Sequence, residues 1–182
     1  MWVFGYGSLM WEPGFAPAER QTARLEGWHR SFCMRSIHYR GTPERPGLVL
    51  ALDRQEGASC AGVAYRVAGG EVGPVLDYLR ARELVSDAYL ETELPVTLAD
   101  GRSVTALTYV IDHAHVQYCT GLSAEDQARI IATATGKTGR NSDYLFNTVA
   151  HLDDLGLSDP DLAALANRVR ALQADGRRAP GR

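Results

Sequence analysis

Alternating apolar patterns fill the first two thirds of the chain and helical patterns its last third, and this segregation points to an α+β fold instead of an alternating, doubly wound one. Strands are expected at residues 2–6, 22–30, 32–39, 47–53 and 60–67, each bounded by Gly, Pro or charged turn residues. Two more, TELPVTL and SVTALTYVI, flank Ala99-Asp100-Gly101-Arg102, where the Asp-Gly pair signals a hairpin. Six or seven strands predict a curled, largely antiparallel, barrel-like sheet with flanking helices.

The later helices announce their own starts. Ser123 and Asp126 form an S-x-x-D opening before Ala128, Ile131, Ala132 and Ala134. Ser142 is placed to cap a helix with Leu145, Val149 and Leu152 on one face, and Asp159-Pro160 opens another carrying Leu162, Leu165, Val169 and Leu172. With 182 residues, 45% of them hydrophobic, the chain is long enough for one domain with a substantial core. That domain is expected over residues 1–173, with 174–182 a disordered tail of small, polar, Gly- and Pro-containing composition.

Charge narrows the function classes. A formal net charge of −3 and a pI near 5.9, with no basic block outside ADGRRAPGR, lack the footprint of a nucleic-acid binder. No apolar run reaches the roughly 18 residues that a membrane span needs, and the N-terminal stretch has no preceding Lys or Arg, so a cytoplasmic protein without a membrane partner is expected. Cys33, Cys60 and Cys119 are odd in number and form no C-x-x-C pair, which predicts reduced thiols instead of a disulfide framework or zinc site. His113 and His115 alternate on what reads as a strand end with no third ligand in register, and no metal is expected.

The run FGYGSL, residues 4–9, places two glycines, a tyrosine and a serine directly after an apolar strand. A dinucleotide fingerprint fails because Met10 stands where the third glycine belongs, and the Gly136-Lys137-Thr138 decoy of a phosphate loop has Ile131 where its first glycine should be. Two readings stand: a concave nest of backbone N–H groups that holds a carboxylate or oxyanion, or a tight strand exit with Tyr6 and Leu9 in the core.

Along residues 71–84, Val72, Val75, Leu76 and Leu79 define one helical face, and Glu83 falls one turn further along the same stripe. A carboxylate there either pairs with Arg80 or Arg82, or is freed by an early helix end, or is desolvated into a general base suited to neutral pH.

Taken with Tyr39-Arg40-Gly41-Thr42-Pro43-Glu44, Gly62-Val63-Ala64-Tyr65-Arg66, Tyr78-Leu79 with Arg82-Glu83, and Gly139-Arg140-Asn141 with Asp143-Tyr144-Leu145, the terminal WVFGYGSL resembles the ChaC-type γ-glutamylcyclotransferases. The order and spacing of these short motifs extend from residue 2 to about 165. The resemblance implies a barrel-like sheet with flanking helices and an enzyme that needs no metal or organic cofactor. It further implies that the substrate glutathione is cleaved to 5-oxoproline and cysteinylglycine. By the same resemblance the substrate loop falls on Val3, Phe4, Gly5, Tyr6, Gly7, Ser8 and Leu9, and the catalytic glutamate on Glu83.

Arg40 is a further candidate, for a substrate carboxylate, and Tyr144 and Asn141 for closing the site; a solvated loop arginine, helix capping and core packing are the competing accounts. Three other functions remain open: a non-catalytic anion-binding module, an enzyme acting on other γ-glutamyl compounds, and a transporter's regulatory subunit, for which no residue speaks.

Overall fold

The computed structural model describes residues 1–178. Five strands, β1 (Trp2–Gly5), β2 (Glu19–Ser36), β3 (Gly47–Arg66), β4 (Tyr89–Leu98) and β5 (Ser103–Ile111), close into a barrel in the order β1-β3-β2-β4-β5, with β3 and β5 also paired. Two further strands, β6 (Thr135–Gly136) and β7 (Gly139–Arg140), form a separate two-stranded sheet. The α+β class and the barrel are as expected. The barrel has five strands because residues 22–39 and 47–67, each read as two strands, are one long strand apiece.

Pairing is mostly antiparallel. β4 and β5 form the hairpin expected around Asp100-Gly101, in register from Tyr89 opposite Ile111 to Thr97 opposite Ser103. The parallel pairings join β5 to β3 and to β1, and the latter places the N-terminus: β1 lies antiparallel to β3 (Trp2 opposite Arg66) and parallel to β5 (Val3 opposite Leu107). Held on both edges, β1 is buried on both faces, which is why its residues are apolar without alternation. Phe4 enters the barrel core with Leu25, Leu52, Ala64 and Val96, while Val3 faces a second cluster with Leu9, Val75, Leu79, Leu107 and Tyr109.

The helices are α1 (Val72–Glu83), α2 (Ala124–Thr133), α3 (Asn141–Asp154) and α4 (Pro160–Arg178). Ser123 caps α2 by accepting the Asp126 N–H at 3.1 Å, and Asp159 caps α4 by accepting from Leu162 at 3.2 Å, both as predicted. α3 starts one residue before Ser142, whose side chain is buried in the first turn and does not cap it. α4 extends to Arg178, past Gln173, whose Nε2 donates to the Ala132 carbonyl at 3.2 Å; of the expected tail, residues 174–178 are therefore helical and 179–182 lie outside the described residues.

The chain divides into two compact units, residues 1–31 with 50–118, and residues 32–49 with those from 119 onward. The first contains both apolar clusters and α1. The second packs α2, α3 and α4 together and buries Ala128, Ile131, Leu145, Leu152, Leu165 and Val169. All three cysteines are free thiols and buried. Among the described residues no helix is long and apolar enough to cross a membrane.

Candidate active site

In the first unit the chain leaves β1 at Gly5 and enters a 3₁₀ turn, Ser8–Met10. Side chains from β5 and β3, and one from the exit itself, hold it in place. Thr108 Oγ1 donates to the Phe4 carbonyl at 3.0 Å, the Tyr6 hydroxyl donates to the Tyr109 carbonyl at 2.8 Å, and the buried Tyr65 hydroxyl lies 3.0 and 2.7 Å from the Leu9 and Met10 carbonyls. Within the turn the first hydrogen bond runs from Met10 N–H to the Gly7 carbonyl at 2.9 Å, so the Ser8 and Leu9 N–H groups stand at its amino end, ahead of that bond.

The two glycines do not shape the turn through left-handed backbone. Gly7 has φ −128°, and Gly5 is not among the positive-φ residues, so neither supplies a left-handed step. Gly5 is small because the turn folds back on it: a Cβ there would lie 2.9 Å from Leu9 Cβ. The tight strand exit, with Tyr6 and Leu9 buried, is thus realised together with a presented amino end.

α1 packs Val75 and Leu79 onto Val3, Leu9, Leu107 and Tyr109, which brings its last turn to the loop. Glu83 is the final residue of this helix, with 19% of its side chain exposed. The pairing and the desolvation accounts of Glu83 each hold in part, whereas α1 reaches Glu83 and does not free it to solvent. Its Oε1 pairs with Arg82 Nε at 3.1 Å, the helix ends there, and yet burial pushes the carboxyl above its ordinary value against the pull of the Arg82 charge. Arg80 goes elsewhere, to Glu91 at 2.8 Å. Tyr109 completes the surroundings: its hydroxyl donates to Glu91 at 3.2 Å, and burial, with the charges of Glu91 and Glu83, pushes its ionisation up.

The sequence named Arg82 only as a possible partner of Glu83, and its reach to the loop was not foreseen. Besides Glu83, its guanidinium donates to Ser8 Oγ at 2.9 Å, the Glu12 carbonyl at 2.6 Å and the Tyr78 hydroxyl at 3.0 Å. One cation therefore touches the loop, the segment after it and the carboxylate. The i to i+4 spacing of Tyr78 and Arg82 was the available signal; the contact with Ser8, 74 positions away, was not readable.

In the second unit, Arg40 is turned toward main chain: Nη1 donates to the Thr138 carbonyl at 2.8 Å and the Arg140 carbonyl at 3.3 Å, and the guanidinium lies 5.6 Å from the Tyr144 ring centre. Tyr144 also meets Phe32 edge to face at 6.1 Å. Asn141, fully buried, exchanges two hydrogen bonds of 2.7 Å with the Leu48 backbone. These residues tie the 36–48 segment to the 135–144 segment.

His113 and His115 follow β5 in turns, not on a strand; His113 Nε2 lies 2.7 Å from Asp53 Oδ1 and its ring stacks on Tyr118 at 4.4 Å. Among the described residues no group of three His, Cys, Asp or Glu side chains is arranged to hold a metal ion. An open groove of about 580 Å³ is lined by residues of the second unit, among them Arg129, Arg140, Leu172 and Gln173, and includes neither Glu83 nor the loop.

Chemically, the first unit joins a partly desolvated carboxyl, able to accept and return a proton, to a main-chain turn with donors at its amino end. Comparison with known proteins gives the family. A profile of ChaC-like proteins matches residues 1–172. The glutathione-specific gamma-glutamylcyclotransferase of Escherichia coli (strain K12) is 41% identical over 175 residues, spanning 96% of this chain and 75% of the relative. Glutathione-specific gamma-glutamylcyclotransferase 1 of Homo sapiens is 32% identical, spanning 93% of this chain and 78% of the relative. The crystal structure of the yeast gamma-glutamyl cyclotransferase specific to glutathione has the same fold, with a TM-score of 0.87 and 23% identity, covering 96% of this chain and 97% of that one. The chain belongs to the ChaC-like protein family.

Proposed function

We propose that the protein cleaves glutathione by intramolecular cyclisation, releasing 5-oxoproline and cysteinylglycine, with Glu83 as general base and acid and the loop of residues 3–9 holding the γ-glutamyl unit. The observation that carries this reading is the joint hold of Arg82 on Ser8 and Glu83, which sets a proton acceptor beside a donor-bearing turn. The named substrate of the relatives supplies its identity.

The α-nitrogen of the γ-glutamyl group attacks its own side-chain carbonyl carbon. A carbon–nitrogen bond forms, and the bond to the cysteinyl nitrogen breaks. An α-ammonium has no lone pair to attack with, so Glu83 as carboxylate removes its proton first and passes it on to the departing nitrogen. In all, two protons leave the α-nitrogen and two reach the cysteinyl nitrogen, with no water consumed. Attack within one molecule reaches effective molarities of roughly 10⁵ to 10⁸ M when the geometry is held, so positioning by the loop supplies much of the rate. The Ser8 and Leu9 N–H groups are the proposed donors to the glutamyl carboxylate or to the oxyanion.

Arg40 and Tyr144 receive no substrate contact in this proposal, because the Arg40 guanidinium engages main-chain carbonyls and the Tyr144 ring lies against it and Phe32. Residues 1–173 are proposed as one functional domain, acting in the cytoplasm on a small molecule without metal, organic cofactor, nucleic acid or membrane. The test offers the purified protein reduced glutathione and, separately, γ-glutamyl-alanine, and follows 5-oxoproline by mass spectrometry. Product from glutathione alone is expected. Product from γ-glutamyl-alanine at equal efficiency would move the protein to a broader γ-glutamyl specificity, and none from either would refute the activity.

A further inference from the structure

We infer that Arg82 is a positioning residue for this site, a fixed strut that sets the distance and orientation between the substrate loop and Glu83. The inference rests on the proposed roles of the loop and of Glu83. Its geometric basis is that three guanidinium nitrogens reach four partners: Nη2 to Ser8 Oγ, Nη1 to the Glu12 carbonyl and the Tyr78 hydroxyl, and Nε to Glu83. A planar fork with donors in fixed directions can do this; a lysine ammonium on a flexible stem cannot.

The partners are themselves anchored. Tyr78 lies over Gly14, where a Cβ would fall 2.0 Å from its hydroxyl and where φ is +81°. Residues 12–14 are thereby held at two points, the Glu12 carbonyl by Arg82 and Gly14 by Tyr78, and Ser8 opens the 3₁₀ turn that Tyr65 holds from the barrel side. With only 22% of its side chain exposed, Arg82 is also poorly screened by water, so its charge acts strongly on its neighbour.

Arg82 thus has two separable effects. Its charge keeps Glu83 more acidic than burial alone would leave it, opposing desolvation. Its fork fixes the loop. The other charged and titratable groups toward Glu83 are Tyr109 on β5, with Glu91 on β4 just beyond it, whose charge is already taken up by Arg80.

The experiment measures kcat and KM for glutathione across pH for the wild type, Arg82→Gln, Arg82→Lys, Ser8→Ala and Glu83→Gln, each first shown to be folded by circular dichroism. In Arg82→Gln the acid limb of kcat/KM should move upward by about one pH unit or more, with activity down about tenfold near neutrality and partly recovered at higher pH. Arg82→Lys should keep the limb near its wild-type position while KM rises. Ser8→Ala should raise KM and leave the limb unmoved. Should Arg82→Gln not fold, a raised KM with an unmoved limb in both Arg82→Lys and Ser8→Ala still supports the strut, and a wild-type KM in both overturns it. A uniform loss in the Arg82 variants with no movement of limb or KM, or wild-type profiles throughout, would overturn the inference. Full activity in Glu83→Gln would overturn the reading of the base instead, whatever the Arg82 variants do.

Discussion

Arg82 Nε lies 3.1 Å from Glu83 Oε1, and the Glu83 carboxyl is nonetheless held above its ordinary value. A neighbouring cation alone would pull a carboxyl down; here desolvation at the end of α1 outweighs it. The result is a group nearer to the operating pH than a surface glutamate, which is what proton transfer requires.

That choice has a cost in stability with a definite sign. Because the folded-state value lies above the ordinary 4.5, the folded protein binds more protons than the unfolded chain between the two, and stability falls as pH rises through that window. Glu83→Gln carries no such charge. Its stability relative to the wild type should therefore rise as pH increases from about 4.5 upward, as read from urea midpoints at about pH 4 and about pH 8. An unchanged difference would show that Glu83 is not desolvated.

Tyr65→Phe removes the hydroxyl between the Leu9 and Met10 carbonyls without changing the ring. Stability should fall by about 1–3 kcal/mol, and KM should rise more than kcat falls, because the turn loses its barrel-side anchor. Steady-state kinetics with a thermal melt checks both; unchanged KM would mean that the turn is held without Tyr65.

Asn141→Leu leaves the buried Leu48 N–H and carbonyl without their partner. Each such group costs about 1–3 kcal/mol, so a substantial drop in the denaturant midpoint is expected. A midpoint within error of the wild type would show that the motif asparagine is not structural.

Gly62→Ala tests the packing of β1. Its Cβ would lie 2.4 Å from the Gly5 carbonyl oxygen and 2.7 Å from the Phe4 ring, so β1 must shift, at about 1–3 kcal/mol, and the loop that follows must shift with it. Gly69→Ala, with no atom within 4 Å, is the control and should stay within about 0.5 kcal/mol. Equal effects in a comparative melt would contradict the close approach.

Much of the fold was readable because local signals and tertiary structure agree. The Asp100-Gly101 hairpin, the Ser123 and Asp159 caps and the apolar face of α1 all appear where the pattern placed them. β3 was divided because residues 54–57 are polar and exposed; they stay in the strand through backbone pairing, which composition does not record. Ser142 misled because the cap of α3 is made without a side chain. At the site, Glu83 broke a local rule and was visible for that reason, whereas Arg82, an ordinary helix-surface residue by pattern, gains its place only when β1 and α1 meet in space.

The most direct test of the account is glutathione turnover by Glu83→Gln beside the wild type, with 5-oxoproline quantified by mass spectrometry and both proteins shown to be folded. Turnover is predicted to drop by about 10² to 10⁴ with glutathione binding largely retained. A folded Glu83→Gln protein that forms 5-oxoproline at close to the wild-type rate would contradict it.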